Sequence, residues 1–221
     1  MPRAAFDRQL GELQDEVLVL GSMVDKAIDA AVDALKRRDL EKSKEIVDAD
    51  RAINQKRYEI EERCLLVIAT QQPLASDLRA IAAMLSIVTD LERMADHAEG
   101  IAKISLMIGE QPLLKPLVDT PRMAEIGRAM LRQALEAFVN RDLEAAKRVA
   151  AMDDQVDELY NQVYNELLTF MISDPRTITR ATHLLWVAHN LERIADRVTN
   201  ICERVAFMVN GRMEDMNVSS Y

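Results

Sequence analysis

Apolar residues recur along this chain at alternating intervals of three and four. Between about Phe6 and Arg37 they fall at Leu10, Leu13, Val17, Leu20, Val24, Ile28, Ala31 and Leu35, the spacing that lines one face of an α-helix and leaves the rest polar. Asp39 then stands where an N-cap belongs, ahead of a stripe at Ile46, Ile53, Ile60, Cys64 and Val67 that Gln71-Gln72-Pro73 ends. A third helix is predicted after Pro73 to about Ile108, with Met84, Ile87, Leu91, Met94 and Ile101 facing inward. Three more are predicted over Arg122 to Asn140, Leu143 to Ile172 and Arg176 to Asn210. The last has a seam at Leu184, Val187, Leu191, Ile194, Val198, Ile201, Val205 and Met208.

The second set of helices is a rewriting of the first. Asp39-Leu40-Glu41 recurs as Asp142-Leu143-Glu144, an offset of 103 residues, and Leu91-Glu92-Arg93-Met94-Ala95-Asp96 recurs as Leu191-Glu192-Arg193-Ile194-Ala195-Asp196, an offset of 100. Asp50 to Asn54 corresponds to Asp153 to Asp157, and Pro73 to Pro175. The stretch Gly109 to Pro121, with Pro112, Pro116 and Pro121, is the one good linker, dividing the chain into residues 1–110, a connection at 111–121, and 122–221. The fold class expected is all-α: a tandem repeat of two antiparallel three-helix bundles, because short connections force neighbouring helices to run in opposite directions.

Composition narrows the function. Aromatic residues make up only 4% of the chain, so aliphatic side chains and methionine fill the core. With 28 Lys and Arg against 37 Asp and Glu, the net charge is -9; no basic stripe is present, and nucleic acid is excluded as a natural partner. The start of the chain lacks the apolar stretch of a signal peptide and no apolar run approaches a bilayer span, so a cytoplasmic protein is expected. Cys64 and Cys202 each lie within an apolar helical pattern and read as buried free thiols. No phosphate-binding GxxxxGK[ST] loop, GxSxG elbow or Ser/His/Asp spacing is present, which leaves no recognisable enzyme active site.

The candidate chemistry is acidic. Glu92 and Asp96, and again Glu192 and Asp196, are four residues apart, which stacks each pair on one helix face at a rise of roughly 6 Å. Asp50 and Asn54, and Asp153 and Asp157, form like pairs on the preceding helices. A hairpin turning near residues 72 and 73 sets Glu92 level with Ile53 and Asp96 with Ala49; one turning near 173 and 174 sets Asp157 near Asn190 and Asp153 near Ile194. Each repeat can therefore gather oxygen ligands from two helices. Clustered carboxylates repel unless a cation or a proton intervenes, and an all-oxygen donor set suits magnesium, manganese or ferric iron. The competing reading is a solvated acidic face balanced by Arg93 and Arg193, and the residues alone leave both open. His97, His183 and His189 do not make the ExxH pairs of di-iron bundles and read as structural or surface residues.

The duplicated LER[MI]AD motifs, the turn Gln71-Gln72-Pro73-Leu74-Ala75-Ser76-Asp77-Leu78-Arg79 and the six-helix plan resemble the PhoU family over nearly the whole chain. Members are tandem three-helix bundles, often homodimeric, and some carry metal ions or iron clusters at the acidic motifs. The resemblance implies metal ligands at Asp50, Asn54, Glu92 and Asp96 in one site and at Asp153, Asp157, Glu192 and Asp196 in the other, for iron, manganese, magnesium or a similar ion. It also implies a negative regulator of phosphate uptake and of the phosphate-starvation response. Its partners would be the ATPase subunit of the phosphate ABC transporter and the sensor histidine kinase, which would bring it to the membrane periphery. A carboxylate-bridged metal store or metalloenzyme is the alternative.

Overall fold

The computed structural model describes residues 2–216; Met1, and residues 217–221 at the end of the second repeat, lie outside the described residues. The helices are α1 (Pro2–Arg37), α2 (Leu40–Gln71), α3 (Ser76–Ile108), α4 (Asp119–Asn140), α5 (Leu143–Ala150), α6 (Asp153–Ser173) and α7 (Ile178–Asn210), with a 3-10 turn at Pro175–Thr177 before the last. No strand occurs among the described residues. Helices α1 to α3 form one bundle, and α4, α5–α6 and α7 the other.

Local chemistry explains the boundaries. Asp39 caps α2 by accepting from Lys42 N at 2.9 Å, and Asp142 caps α5 by accepting from Ala145 N at 2.9 Å, the same device in both repeats. Gln72 closes α2 in the left-handed region, with φ 48, and Pro73 follows. Helix α4 begins at Asp119, inside the proline-rich stretch, because Pro121 falls in its first turn where an N–H has no helical partner to lose.

One expected helix is divided. Over Leu143 to Ile172 the ladder breaks at Ala151 and Met152. Both residues stay in the right-handed helical region, but Met152 N donates to Val149 O, three residues back, at 3.0 Å. The turn tightens locally without a change of direction written into a glycine or proline. Asp153 and Asp154 then occupy the first turn of α6, where negative charge is favoured.

The two bundles share a core. Leu13, Val17, Leu20, Val24 and Ile28 of α1 and Ile194, Val198, Ile201 and Val205 of α7 are essentially inaccessible and belong to one continuous apolar cluster. The bundles meet most extensively along α3 and α7, and again along α1 and α4. Both contacts are antiparallel: Asp90 lies by Asn200 while His97 lies by Asn190, and Gly21 lies by Leu135 while Asp29 lies by Arg128. The repeats are thus related by an approximate two-fold axis across the helices, which sends the two hairpin tips to opposite ends of the molecule. Cys64 and Cys202 are fully buried and free. Among the described residues no helix is long and apolar enough to cross a membrane.

Candidate metal-binding acidic faces

In the first repeat the expected residues meet between α2 and α3. Asn54 Nδ2 donates to Asp50 Oδ2 at 2.6 Å, whereas Asp50 Oδ1 is sealed from solvent with no hydrogen-bond partner. Burial first, and then the charges of Glu99, Asp96 and Glu92, raise the Asp50 carboxyl above its ordinary value. Glu99, one turn beyond Asp96 and two beyond Glu92 on α3, thus joins the cluster; its spacing in the chain carried that signal. Glu92 is only 6% exposed, which no freely solvated acidic face would show. Its Oε1 accepts from Arg57 Nη1 at 3.1 Å and its Oε2 lies 3.4 Å from Arg93 Nε, while Arg93 Nη1 also donates to Asp96 Oδ2 at 3.1 Å.

In the second repeat Asp153 and Asp157 on α6 face Glu192 and Asp196 on α7. Asp153 is 1% exposed. Burial, and then the charges of Asp157, Asp196 and Glu192, push its carboxyl up to about 7. Glu192 is also pushed up to about 7, by burial and then by Asp196, with Arg193 opposing. Asp157 and Asp196 are raised too, burial again being the main cause. Arg193 Nη1 lies 2.5 Å from Asp196 Oδ2, the pairing that Arg93 makes with Asp96 at 3.1 Å in the other repeat. Glu192 Oε2 is sealed from solvent and makes no hydrogen bond; only His189 Nδ1 is within ion-pair distance, at 3.2 Å, and outside hydrogen-bond geometry.

The two faces differ at one decisive position. Arg57, which neutralises Glu92, corresponds to Tyr160 in the second repeat, and Tyr160 packs against the His189 ring at 6.3 Å between centroids. An arginine is always charged; an imidazole is a cation only when protonated. The first face therefore carries an internal counterion that the second lacks, and it also has Asn54 where the second has Asp157.

The donor sets are oxygen-only and mutually repelling, with Glu92 and Asp153 buried and the other members half-buried, which fits a hard cation. Among the described residues no three His, Cys, Asp or Glu side chains converge as ligands. In the first repeat Glu92 and Asp96 instead turn to arginines and Asp50 to Asn54, the arrangement expected of carboxylates that repel one another. The second face fits a cation better, because more negative charge remains there uncompensated. His97 stands outside both faces, its Nδ1 2.9 Å from Asn190 Oδ1 across the contact between the bundles.

Fold and site together define a duplicated helical-bundle protein bearing one half-buried acidic face per repeat. A family model described as the PhoU domain matches the chain twice, over residues 17–105 and 120–205. The phosphate-specific transport system accessory protein PhoU homolog of Aquifex aeolicus (strain VF5) is 41% identical over 186 residues, 84% of this chain and 84% of that one. Its counterpart in Clostridium acetobutylicum is 38% identical over 218 residues, 98% of this chain and 100% of the other. The crystal structure of the phosphate transport system regulatory protein PhoU from Streptococcus pneumoniae superposes with a TM-score of 0.89 at 35% identity, covering 95% of this chain and 99% of that one. PhoU from Pseudomonas aeruginosa gives 0.88 at 34% identity, covering 94% and 100%. The chain belongs to the PhoU family.

Proposed function

We propose that this protein is a cytoplasmic negative regulator of phosphate uptake that works by contact, linking the ATPase subunit of a phosphate ABC transporter to the sensor histidine kinase of the starvation response. The observation that carries the reading is the family match in both repeats, with relatives of nearly equal length that are described as accessory or regulatory proteins of phosphate transport. A rigid adaptor is consistent with a core running continuously through both bundles. Such a protein biases a partner through differential binding and has no need of a catalytic centre. We place it as a homodimer at the membrane periphery, held there by its protein partners.

The acidic faces serve this role as cation sites, Asp153, Asp157, Glu192 and Asp196 in one repeat and Asp50, Asn54, Glu92 and Asp96 in the other. A bound divalent or ferric ion would offset their repulsion and fix the helix faces that partners meet. Deleting the gene should switch on starvation genes in abundant phosphate, and only when the kinase is present. Normal repression in the deletion strain, or hydrolysis of phosphate esters by the purified protein, would instead favour a metalloenzyme.

A further inference from the structure

The antiparallel crossing of α3 and α7 repeats one set of positions twice, and the two halves have diverged in chemistry. In one half Asp90 Oδ1 accepts from Asn200 Nδ2 at 3.1 Å and lies 3.5 Å from Arg197 Nη1. In the other half Asn190 meets His97, and Gly100 stands in place of Asn200 because a Cβ there would lie 3.0 Å from Asn190 Oδ1. Beside Asp90 is an open recess of about 420 Å³ lined by Leu85, Ser86, Thr89, Asp90, Asn200 and Arg204. The residues corresponding to Ser86, Thr89, Asn200 and Arg204 are Trp186, His189, Gly100 and Ile104, so only one half of the crossing combines a cation with small polar donors.

Arg204 is the unusual member. It is half-buried, its ion pair with Glu203 is long, at 3.9 Å, and its hydrogen bond, at 2.9 Å, goes to Met213 Sδ in the segment after α7. A thioether is a weak acceptor. The guanidinium is thus desolvated in part, with no short carboxylate contact, at the edge of a polar recess. Arginine in that state favours planar, bidentate contact with a tetrahedral oxyanion.

We propose that this recess binds hydrogen phosphate in preference to sulfate. Arg204 supplies the charge and Asn200 Nδ2 its second N–H; the Ser86 and Thr89 hydroxyls, which donate to the Ala82 and Leu85 carbonyls at 3.4 and 3.0 Å, become further donors by rotating away from those bonds. Asp90 supplies the discrimination: hydrogen phosphate has a P–OH that a carboxylate accepts, whereas sulfate is fully deprotonated at neutral pH and meets the same carboxylate as a like charge. Occupancy displaces Met213 from Arg204 and frees the segment that Glu203 holds by accepting from Met216 N at 3.2 Å. The binding chemistry stands on the recess alone, while its use as a phosphate sensor rests on the regulatory reading above.

The test is calorimetric titration of the chelator-treated, full-length protein with inorganic phosphate and with sulfate, alongside NMR of the Met213 methyl group. Saturable phosphate binding that shifts the Met213 signal is expected, with sulfate at least about tenfold weaker. Arg204→Gln should weaken phosphate binding by about tenfold or more at unchanged helix content, and Asp90→Asn should narrow the gap between the two anions. Equal affinity for both anions, no saturation at millimolar phosphate, or binding unaffected by Arg204→Gln would overturn the site. So would phosphate binding that is lost in Glu192→Ala/Asp196→Ala, which would assign the anion to a retained metal. In cells, loss of repression confined to Arg204→Gln tests the sensor, whereas failure of the parent chain to repress defeats the regulatory reading and leaves the titration result standing.

Discussion

Asp25 of α1 and Arg128 of α4 occupy the same position in the two repeats, 103 residues apart, and they pair with each other: Asp25 Oδ1 accepts from Arg128 Nε at 3.0 Å and Oδ2 from Nη2 at 3.1 Å. Positions close to a two-fold axis face their own equivalents. Identical residues there would set like charge against like, so a pair of opposite sign can arise only after duplication has made the two copies independent. Arg132 Nη1 adds a third bond to Asp25 Oδ1, at 2.9 Å, and Arg128 also reaches Asp29.

Because Asp25 and Arg128 are both largely withdrawn from solvent, their coupling should exceed that of an exposed pair. Asp25→Ala and Arg128→Ala should each lower stability, and a double-mutant cycle should return a coupling of about 1–2 kcal/mol. Exchanging the two residues, Asp25→Arg with Arg128→Asp, should do worse than either alanine, because Arg132 then meets an arginine. Denaturant midpoints measure all four variants, and additive effects would show that the pair contributes nothing.

The second acidic face should hold cations more tightly than the first. Metal analysis after purification should show a larger loss from Glu192→Ala/Asp196→Ala than from Glu92→Ala/Asp96→Ala. Arg57→Gln removes the internal counterion of the first face and should raise its metal uptake. Unchanged metal content in all three variants would dismiss these carboxylates as ligands.

The metal-free protein should lose stability as pH rises. Asp153 has its carboxyl raised from 3.8 to about 7 on folding, and Glu192 from 4.5 to about 7. The folded state therefore binds protons more tightly than the unfolded chain. Stability is greatest below the unfolded values and falls as pH climbs through the folded ones, so the loss lies between about 4 and about 7. Asp153→Asn should flatten this slope in chelator-treated protein, as measured by thermal unfolding across the range. A slope of the same size in the variant would place the titration elsewhere.

Both thiols should be inert in the native state. Burial pushes Cys64 up to about 11 and Cys202 to about 12, and neither side chain is exposed. A thiol reagent at neutral pH should label neither within minutes and both after denaturation, since the thiolate is the reactive form. Fast labelling of one cysteine would reveal local opening of its helix.

Gly100→Asn, which restores the residue found at the equivalent position of the second repeat, should destabilise the protein. The new side chain collides with Asn190 and displaces the His97 contact, at a cost of about 1–3 kcal/mol. Gly100→Ala should cost much less, since the gain in helix propensity offsets a contact that needs only a small shift. Thermal midpoints distinguish the two.

Much of this was legible in the sequence for a simple reason: helical periodicity, caps and tandem repetition are local or self-similar features. The seams from Leu10 to Leu35 and from Leu184 to Met208, the caps Asp39 and Asp142, and the level of the carboxylate pairs along each hairpin follow from spacing alone. The break before Asp153 was only half visible, in the two acids that open α6. Side-chain partners across helices were not legible, because they depend on how one bundle is rotated against another. The choice of Arg57 for Glu92, the exclusion of water from Asp153, and the meeting of Asp90 with Asn200 are products of packing. The repeat makes two equivalent positions visible in the chain; only the antiparallel docking of α3 on α7 and of α1 on α4 decides that Asp25 meets Arg128 and that Gly100 must leave room for Asn190.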